Sequence, residues 1–286
     1  MPGVAVVTGA NKGIGYEIVK SLLRKFDGAV YLTSRDEARG LAAVVKLKEL
    51  GLQPEFHTLD VAERGSVMQL RDHFEKKHVG IDILVNNAAI AEHDPWRPSY
   101  DESKRIVDTN YFSLLTIQEL LFPLLRENAR VVNISSDCGH LSNIRNKYWV
   151  ERLSKKDLSV DDVNEFVNWY LQGVKKGSFN FGDIADGGSG AAYRVAKVGM
   201  SALTVVFQRD LAVRGICINS VHPGLVRTDM TRGAGFLTRQ EAADTPVWLA
   251  LEAPPSLRGA YVWYDRRVID WYDHRADYYF KQKRLV

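Results

Sequence analysis

The sequence has few of the features that mark membrane, secreted or nucleic-acid-binding proteins. It contains only two cysteines, Cys138 and Cys217, which excludes a disulfide-stapled fold and favours a reducing compartment. No apolar run approaches the roughly 18 residues that a membrane-spanning helix needs, and the first residues lack the pattern of a signal peptide. The net charge of +3 is too small to indicate nucleic-acid binding by itself. We therefore expect a cytoplasmic globular protein that binds neither membranes nor nucleic acids.

What the sequence does have is the alternation of strands and helices of an α/β fold. The 286 residues are 45% hydrophobic and 26% charged, which is enough apolar material for a large core. Short β-branched runs, apolar on both faces, alternate with amphipathic segments such as Gly15–Phe26 and Glu37–Leu50, and this pattern predicts a doubly wound parallel sheet with helices on both faces. The predicted strands are Val4–Thr8, Val30–Thr33, Phe56–Leu59, Ile83–Val85, Val131–Ile134, Ile216–Val221 and Tyr261–Tyr264. No linker or repeat divides the chain, so we predict a single domain over residues 1–286.

Two segments depart from this alternation. Residues 137–192 contain a capping-box pattern at Ser159, followed by apolar residues at helical spacing from Val163 to Val174. A glycine- and aspartate-rich loop is predicted at Gly182–Gly190, so the whole segment is interpreted as a helical insertion. The C-terminal tail, about residues 265–286, is aromatic and basic. We expect it to pack against the sheet edge and a substrate cleft; the alternative is a nucleic-acid or membrane contact.

A glycine-rich stretch follows the first predicted strand, from Thr8 to Gly15 (TGANKGIG). Glycines at such a turn let backbone N–H groups and a helix N-terminus face a pyrophosphate without obstruction by Cβ atoms, so the stretch predicts a dinucleotide-binding loop. About 20 residues further on, Arg35 stands where an acidic residue would bind an adenosine ribose hydroxyl. Arg35 and Lys12 together are suited to a 2′-phosphate, which favours NADP over NAD. The alternative is that both are solvated surface cations.

Tyr193 and Lys197 are four residues apart and share one face of a predicted helix. A phenol with an unperturbed pKa near 10 is a poor acid at neutral pH. A cation about 4 Å away contributes roughly 4 kcal/mol, or about three pKa units, at an effective dielectric near 20. We therefore expect Lys197 to lower the pKa of Tyr193 towards neutrality, where general acid catalysis is most effective.

Three further motifs follow predicted central strands. They are Asn86-Asn-Ala-Ala89, Asn133-Ile-Ser-Ser136 and Pro223-Gly-Leu-Val-Arg-Thr228. In this order and spacing, and with the glycine loop and the Tyr193-x-x-x-Lys197 pair, the set resembles the short-chain dehydrogenase/reductase family over nearly the whole chain. It is similar, more narrowly, to the NADPH-dependent carbonyl reductases of that family. The narrower resemblance rests on Thr8–Gly15, Val226–Met230, Thr245–Ala250 and the long insertion.

The resemblance implies a Rossmann-type fold, an NADPH/NADP cofactor and a catalytic set of four residues. Tyr193 protonates the substrate oxygen, Ser136 hydrogen-bonds that oxygen, and Lys197 holds the nicotinamide ribose. Asn110 anchors a water that relays protons to Lys197. The remaining implied cofactor contacts are Gly9, Asn11, Lys12, Gly13, Ile14, Gly15 and Arg35 at the loop and phosphates, Asp60 and Val61 at the adenine, Asn86 at the adenosine ribose, and Val226 and Thr228 at the nicotinamide carboxamide and neighbouring phosphate. The substrate contacts are Ser136 and Tyr193.

Structural alternatives stay open for single residues. Asn86 could close a turn, Ser136 could cap the next segment, and Asn110 could hydrogen-bond buried backbone. No histidine has partners at metal-ligand spacing, so no metal site is expected. Ala89 stands where the family usually has glycine, and Leu225 replaces a bulkier aromatic residue, so the shape of the substrate pocket is not predicted.

The function implied by the resemblance is NADPH-dependent reduction of aldehydes and ketones to alcohols by a monomer. A monomer is expected because in carbonyl reductases the insertion covers the helices through which other members form tetramers. The candidate substrates are quinones, steroid or lipid-derived carbonyls and xenobiotic ketones. Two alternatives are a non-catalytic NADP-binding regulatory protein and an NAD(P)-dependent alcohol or steroid dehydrogenase working oxidatively. The complete set of four argues against the first, and Lys12 with Arg35 argues against the use of NAD.

Overall fold

The computed structural model describes residues 3–94, 96 and 98–273, and all of its named strands join one eight-stranded sheet. The strands are β1 (Gly3–Val7), β2 (Gly28–Ser34), β3 (Glu55–Thr58), β4 (Ile81–Asn86), β5 (Leu125–Ile134), β6 (Cys217–His222), β7 (Tyr261–Trp263) and β8 (Val268–Ile269). The α-helices are α1 (Gly13–Lys25), α2 (Glu37–Glu49), α3 (Arg64–Lys76), α4 (Tyr100–Val107), α5 (Ser113–Leu121), α6 (Lys147–Leu153), α7 (Val160–Lys175), α8 (Ala191–Asp210) and α9 (Arg239–Leu251).

The strands lie in the order β3-β2-β1-β4-β5-β6-β7-β8. The seven strands from β3 to β7 are parallel, which confirms the predicted doubly wound α/β fold. The last strand, β8, is antiparallel to β7 and was not predicted, because a two-residue strand is too short to show periodicity. The order reverses between β1 and β4, so a crevice forms at the carboxyl ends of these strands, where ligands bind in open α/β sheets.

Helices cover both faces of the sheet because the strands are apolar on both sides. In β1, Val4 and Val6 pack into one hydrophobic cluster with α3, α4, α5, α7 and α8. Ala5 and Val7 face the opposite side and pack into a second cluster with α1, α2 and α9. Among the described residues, no helix has both the length and the apolar character needed to cross a membrane.

The segment between β5 and α8 contains the helices α6 and α7; α7 lies where the spacing from Val163 to Val174 predicted a helix, and α6 was not predicted. The capping box is present, since Ser159 accepts from the Asp162 N–H and the Asp162 carboxylate accepts from the Ser159 N–H. The predicted loop Gly182–Gly190 contains two short 3₁₀ turns. Of the C-terminal tail, residues 265–273 pack along the sheet edge, and residues 274–286 lie outside the described part of the chain. The single-domain organisation stays a prediction.

Candidate active site

Two positions of the glycine loop between β1 and α1, Gly9 and Gly15, have no room for a side chain. Gly9 has a φ of +61°, and a Cβ there would lie 2.8 Å from the Cα of Ala88. A Cβ on Gly15 would lie 2.4 Å from Asn87 Nδ2. That amide donates to the backbone carbonyls of Thr8 and Gly9 at 2.9 and 3.0 Å, so Asn87 ties the loop to the end of β4. Gly9 and Gly15 are therefore required by close packing against the Asn86–Ala89 motif.

The N-terminus of α1 fits an anionic group. The helix begins at Gly13, whose φ is +65° and above which a Cβ would meet no atom within 4 Å. Lys12 at the N-cap makes no side-chain capping bond, and the first turn contains no acidic residue. The first backbone N–H groups are thus not capped by side chains, and the helix dipole favours negative charge there. This is the arrangement that holds a dinucleotide pyrophosphate.

Of the two cations predicted to bind a 2′-phosphate, Arg35 is exposed, whereas Lys12 is paired with another residue. Arg35 is exposed directly after β2. The neighbouring Asp36 caps α2 by accepting from the Arg39 N–H at 2.9 Å. Lys12 instead forms an exposed ion pair of 2.6 Å with Asp229, in the loop after β6. Exposed pairs contribute less than about 1 kcal/mol, so a phosphate can displace Asp229 from Lys12 at low cost.

Three of the predicted adenosine contacts have side chains that are already engaged within the protein. Val61 is 5% exposed and lies in the core, so its backbone is the part left for an adenine contact. The Asp60 carboxylate accepts from the Ala62 N–H at 3.0 Å. Asn86 is buried, and its amide donates to Asn133 Oδ1 at 2.8 Å. The predicted ribose contact of Asn86 is therefore not made by an exposed side chain.

Asn110 lies in a single π-helical turn, Asp108–Phe112, between α4 and α5, and such turns occur often at functional sites. Its side chain is fully buried and pairs with the backbone of Ile90 in both directions: the amide donates to the Ile90 carbonyl at 2.8 Å, and the Ile90 N–H donates to Oδ1 at 2.9 Å. The side chain therefore fixes the loop that follows β4. This geometry matches the alternative in which Asn110 bonds buried backbone, and the proton relay stays a prediction.

The structure brings Ser136, Tyr193 and Lys197 together where β5 ends beside α8. The Ser136 hydroxyl lies close enough to the Tyr193 phenol to lower its pKa. Lys197 Nζ lies 5.5 Å from the centre of the tyrosine ring and donates to the Ile134 carbonyl at 2.6 Å. Lys197 is 1% exposed. The side chains that sequence motifs placed after one strand and on one helix thus form one cluster.

The expectation that Lys197 lowers the pKa of Tyr193 is wrong for this structure. Burial raises the pKa of the Tyr193 phenol, the acidic groups of Cys138, Asp137 and Glu92 raise it further, and the hydrogen bond with Ser136 only partly opposes them. Burial also lowers the pKa of Lys197 to about 7. Because this pKa lies near neutral pH, only part of the Lys197 population is protonated, so Lys197 supplies less positive charge to the phenol than a fully charged lysine would. Tyr193 therefore stays protonated at neutral pH.

The buried lysine predicts a pH dependence of stability. Because the pKa of Lys197 is about 7 in the folded chain and 10.5 as its ordinary value, the unfolded chain holds one more proton between these pH values, and stability falls as pH falls through this window. From pH 9 to pH 7.5 we expect the free energy of unfolding of the wild type to drop by about 1–2 kcal/mol relative to Lys197→Met. Urea unfolding of both proteins at the two pH values measures this. An unchanged difference would contradict the assignment of a buried neutral amine.

Two carboxyl groups that the sequence analysis did not single out adjoin the cluster. Glu92 Oε1 accepts from the Tyr193 N–H at 2.9 Å at the start of α8, and burial raises the pKa of Glu92. Asp137 follows Ser136, and Ser136 Oγ donates to Asp137 Oδ1 at 2.8 Å. The Asp137 N–H donates to His222 Nδ1 at 2.8 Å, so this histidine orients the serine loop. Within residues 3–94, 96 and 98–273, no group of three or more His, Cys, Asp or Glu side chains is placed to hold a metal ion.

The serine loop is also held from behind by the C-terminal strands. Tyr261 Oη donates to the Ser136 carbonyl at 2.5 Å. Trp271 Nε1 donates to the Gly139 carbonyl at 2.7 Å, and His140 Nε2 is 2.9 Å from the Asp270 carbonyl. These bonds join residues more than 120 positions apart in the chain. The end of the described chain therefore holds the backbone of the serine loop and makes no bond to the Ser136 hydroxyl.

Trp271→Phe tests this support. The substitution keeps an aromatic ring in a buried position but removes the donor to Gly139, which leaves a buried carbonyl unpaired at a cost of about 1–3 kcal/mol in stability. We expect kcat to fall about tenfold because Ser136 shifts from its position, which corresponds to a loss of about 1.4 kcal/mol in transition-state stabilisation. The Kd for NADPH should stay within about twofold. Tyr272→Phe, at the adjacent half-buried ring, is the matched control. Equal kcat values for the two variants would show that Trp271 does not position Ser136.

The loop after β6 carries the remaining predicted cofactor contacts. Val226 is buried and pairs with Leu237. Thr231, which sequence analysis missed, organises this turn because its Oγ1 donates to the Val226 carbonyl at 2.6 Å and accepts from the Thr228 N–H at 3.0 Å. The two departures from the family pattern are accommodated: Ala89 is not among the residues of positive φ, and Leu225 is half exposed in the loop after β6. Asn11 and Ile14 lie in the glycine loop and at the start of α1.

Comparison with known proteins supports the geometry. The profile of the short chain dehydrogenase family matches residues 3–148 and 185–235, and the gap contains most of α6 and all of α7. Carbonyl reductase [NADPH] 3 of Mus musculus is 41% identical over 88% of this chain and 91% of its own length. Carbonyl reductase [NADPH] 1 of Bos taurus is 38% identical over 94% and 98%. The structure of salutaridine reductase from Papaver somniferum superposes with a TM-score of 0.81, at 30% identity, over 92% of this chain and 99% of that one.

The predicted resemblance is confirmed by two independent comparisons. The family profile matches more than half of the chain, and the motifs that carried the prediction lie within the matched residues up to Thr228. The relatives cover nearly the whole chain at identities well above those of chance similarity. This chain belongs to the short-chain dehydrogenase family, and within it the chain is similar to the carbonyl reductases.

Proposed function

We propose that this protein reduces aldehydes and ketones to alcohols with NADPH, and that Tyr193 donates the proton. The observation that carries the proposal is the cluster of Ser136, Tyr193 and Lys197 beside a glycine loop that fits a pyrophosphate. The relatives named carbonyl reductase [NADPH] support the reaction class and the cofactor. A binding protein without catalysis would have no use for the phenol and serine at this position.

Different residues bind the cofactor, stabilise the substrate oxygen and transfer the proton. When bound, NADPH supplies the hydride. The first turn of α1 and the glycine loop hold the pyrophosphate, and Arg35 contacts the 2′-phosphate. Ser136 hydrogen-bonds the substrate oxygen and stabilises the charge that develops on it. The Tyr193 phenol then transfers its proton to that oxygen, so that the alcohol leaves neutral.

The protonation state of Tyr193 favours the reductive direction. Reduction needs the phenol as an acid, whereas alcohol oxidation needs the phenolate as a base. Because burial and the nearby acidic groups raise the pKa of Tyr193, the acid form dominates at neutral pH. This argues against the alternative of an oxidative dehydrogenase. Quinones, steroid or lipid-derived carbonyls and xenobiotic ketones stay the candidate substrates, and the monomeric state and cytoplasmic location stay predictions.

The proposal is tested by following NADPH consumption with a panel of isatin, menadione, small aldehydes and steroid ketones. We expect turnover with NADPH and at least about tenfold lower kcat/KM with NADH, because the phosphate contact of Arg35 is a charge-assisted one. Equal use of both cofactors would contradict the Arg35 assignment. NADPH binding without turnover of any compound would favour the regulatory alternative.

A further inference from the structure

The helix that carries the Tyr193 phenol, α8, begins without a capping side chain of its own. Gly190 stands at the N-cap with a φ of +63° and offers no side-chain acceptor, and the first turn contains no acidic residue. Tyr193 is the third residue of α8, so this first turn carries the phenol. The first N–H groups of a helix have no partner within the helix, and helix ends fray readily. The position of the phenol therefore depends on what bonds these N–H groups from outside α8.

Glu92, in the loop that follows β4, supplies the missing acceptor. Its Oε1 accepts the Tyr193 N–H at 2.9 Å, although the two residues are 101 positions apart in the chain. Burial raises the pKa of Glu92, and the N–H groups of Tyr193 and Ala192 oppose this rise, so both lie close to the carboxyl group. A Cβ on Gly190 would lie 4.0 Å from Glu92 Oε2. One carboxyl group thus covers the first turn of α8.

The loop that carries Glu92 is fixed on both sides of this residue. Before it, the Ile90 N–H donates to Asn110 Oδ1 at 2.9 Å, and the Asn110 amide donates back to the Ile90 carbonyl at 2.8 Å. After it, the His93 N–H donates to Glu102 Oε1 at 2.7 Å in the first turn of α4. The acceptor that Glu92 offers to α8 is therefore held by two other elements of the fold.

The same loop also contacts the loop after β6. The His93 carbonyl accepts from Arg232 Nη2 at 3.1 Å. The loop of Arg232 contains Val226 and Thr228, the predicted contacts of the nicotinamide end of the cofactor. Residues 90–93 thus bond both the helix of the proposed proton donor and the loop predicted to hold the hydride donor, which relates the positions of the two.

Lys197 does not depend on this cap in the same way. It lies one turn further along α8, is 1% exposed and donates to the Ile134 carbonyl at 2.6 Å. The second turn of the helix is therefore anchored to the end of β5 by a buried side chain. Loss of the Glu92 acceptor should release the turn that carries Tyr193 and leave the turn that carries Lys197 in place.

We infer that Glu92 is a positioning residue, which fixes the Tyr193 phenol by bonding the first turn of α8, and that the placement of its acceptor oxygen matters more than its charge. The inference rests on the proposed function, because it concerns the proton donor of that reaction. Glu92 acts through the backbone of Tyr193. Its charge is secondary because burial favours the neutral carboxyl group, which still accepts a hydrogen bond. Misplacing a reacting group by about 1 Å can lower a rate about 100-fold.

Three substitutions separate the placement of the oxygen from its charge. Glu92→Gln keeps an acceptor oxygen at the same distance without the charge. Glu92→Asp keeps the charge but withdraws both oxygens by one C–C bond of about 1.5 Å, and Glu92→Leu removes the acceptor. With the ketone that the wild type reduces fastest, we expect kcat to stay within about threefold of the wild-type value in Glu92→Gln. It should fall about 10- to 100-fold in Glu92→Asp and Glu92→Leu, while the Kd for NADPH stays within about twofold.

Two further readouts separate positioning from a loss of stability. Rates are expressed per NADPH-binding site, so that unfolded molecules do not count. The solvent deuterium isotope effect on kcat should increase in Glu92→Asp, because a displaced phenol slows proton transfer relative to the other steps. Ser159→Ala is the matched control: Ser159 Oγ accepts the Asp162 N–H at 3.1 Å as the cap of α7, and its loss should change neither kcat nor the isotope effect.

The comparison of Glu92→Asp with Glu92→Gln decides the inference even if Glu92→Leu does not fold. A wild-type rate in Glu92→Asp, or a rate in Glu92→Gln that is no higher than in Glu92→Asp, would overturn the inference while leaving carbonyl reduction intact. An equal loss in Ser159→Ala, or a lower kcat with an unchanged isotope effect, would also overturn it. If the wild type binds NADPH but reduces none of the carbonyl panel, the proposed function is wrong and the inference falls with it.

Discussion

Tyr193→Phe is expected to lower carbonyl turnover by about 100- to 10,000-fold, the range lost when a positioned general acid is removed. The substitution removes only the phenolic oxygen near Ser136 and leaves the ring, which packs beneath Lys197, in place. NADPH binding should change by less than about threefold, because the glycine loop and Arg35 lie on other elements. Steady-state rates and a fluorescence titration with NADPH give the two quantities separately.

Tyr170→Phe is the matched control for this variant. Tyr170 is also a buried tyrosine, and its hydroxyl lies 3.0 Å from Ser103 Oγ, away from the cluster. Its loss should cost about 1–3 kcal/mol of stability and little activity. If Tyr193→Phe reduced carbonyls at close to the wild-type rate, Tyr193 would not be the acid. If both the wild type and the variant bound NADPH without turnover, the regulatory alternative would stand.

Arg35→Asp is expected to change the ratio of kcat/KM for NADPH to that for NADH by at least about 100-fold in favour of NADH. A charge-assisted hydrogen bond to phosphate is worth about 1.5–3 kcal/mol, and the new carboxylate adds repulsion against the phosphate and an acceptor for the ribose hydroxyl of NADH. Arg35 is exposed at the end of β2, so the exchange should leave the fold intact. Kinetics with both cofactors and one ketone measure the change.

Arg24→Asp makes the same change in net charge at the last turn of α1, far along the helix from the glycine loop. It should leave the cofactor ratio within about twofold, since exposed charges beyond about 10 Å are largely screened. If Arg35→Asp kept the wild-type preference for NADPH over NADH, the 2′-phosphate would be bound by another residue. Lys12, after release from Asp229, would then be the remaining candidate.

The sheet and the cofactor loop could be predicted because their signals are local. Most of the parallel strands contain short runs of β-branched residues, and every predicted strand overlaps an observed one. In Thr8–Gly15, Gly9 and Gly15 are needed because the loop backbone lies close to Ala88 and Asn87. The capping box at Ser159 predicted the start of α7 correctly for the same reason, since both partners lie within one helical turn.

Side-chain direction at the strand ends could not be predicted in the same way. Asn86 and Asn87 are adjacent and chemically identical, yet Asn86 turns to Asn133 while Asn87 holds the glycine loop. The spacing of Tyr193 and Lys197 correctly placed both on one helix face. It did not include the burial of Lys197 against the Ile134 carbonyl, or the burial of Tyr193, which raises the pKa of the phenol.

Contacts between residues far apart in the chain could not be predicted, because they produce no local sequence pattern. The bond from Trp271 to Gly139 joins residues 132 positions apart, and that from Tyr193 to Glu92 joins residues 101 positions apart. Asp137 looked like the first residue of an insertion because nothing in its neighbourhood indicates that His222 lies against it. Such residues tune the cluster, and only the fold brings them to it.

The central claim, that hydride passes to a carbonyl carbon while Tyr193 protonates the oxygen, is tested most directly with NADPH deuterated at both C4 positions of the nicotinamide. After turnover of a ketone, the account predicts one deuterium on the carbon that bears the new hydroxyl group, and none above background with Tyr193→Phe over the same time. Consumption of NADPH with no deuterium at that carbon, or undiminished labelling by Tyr193→Phe, would contradict it.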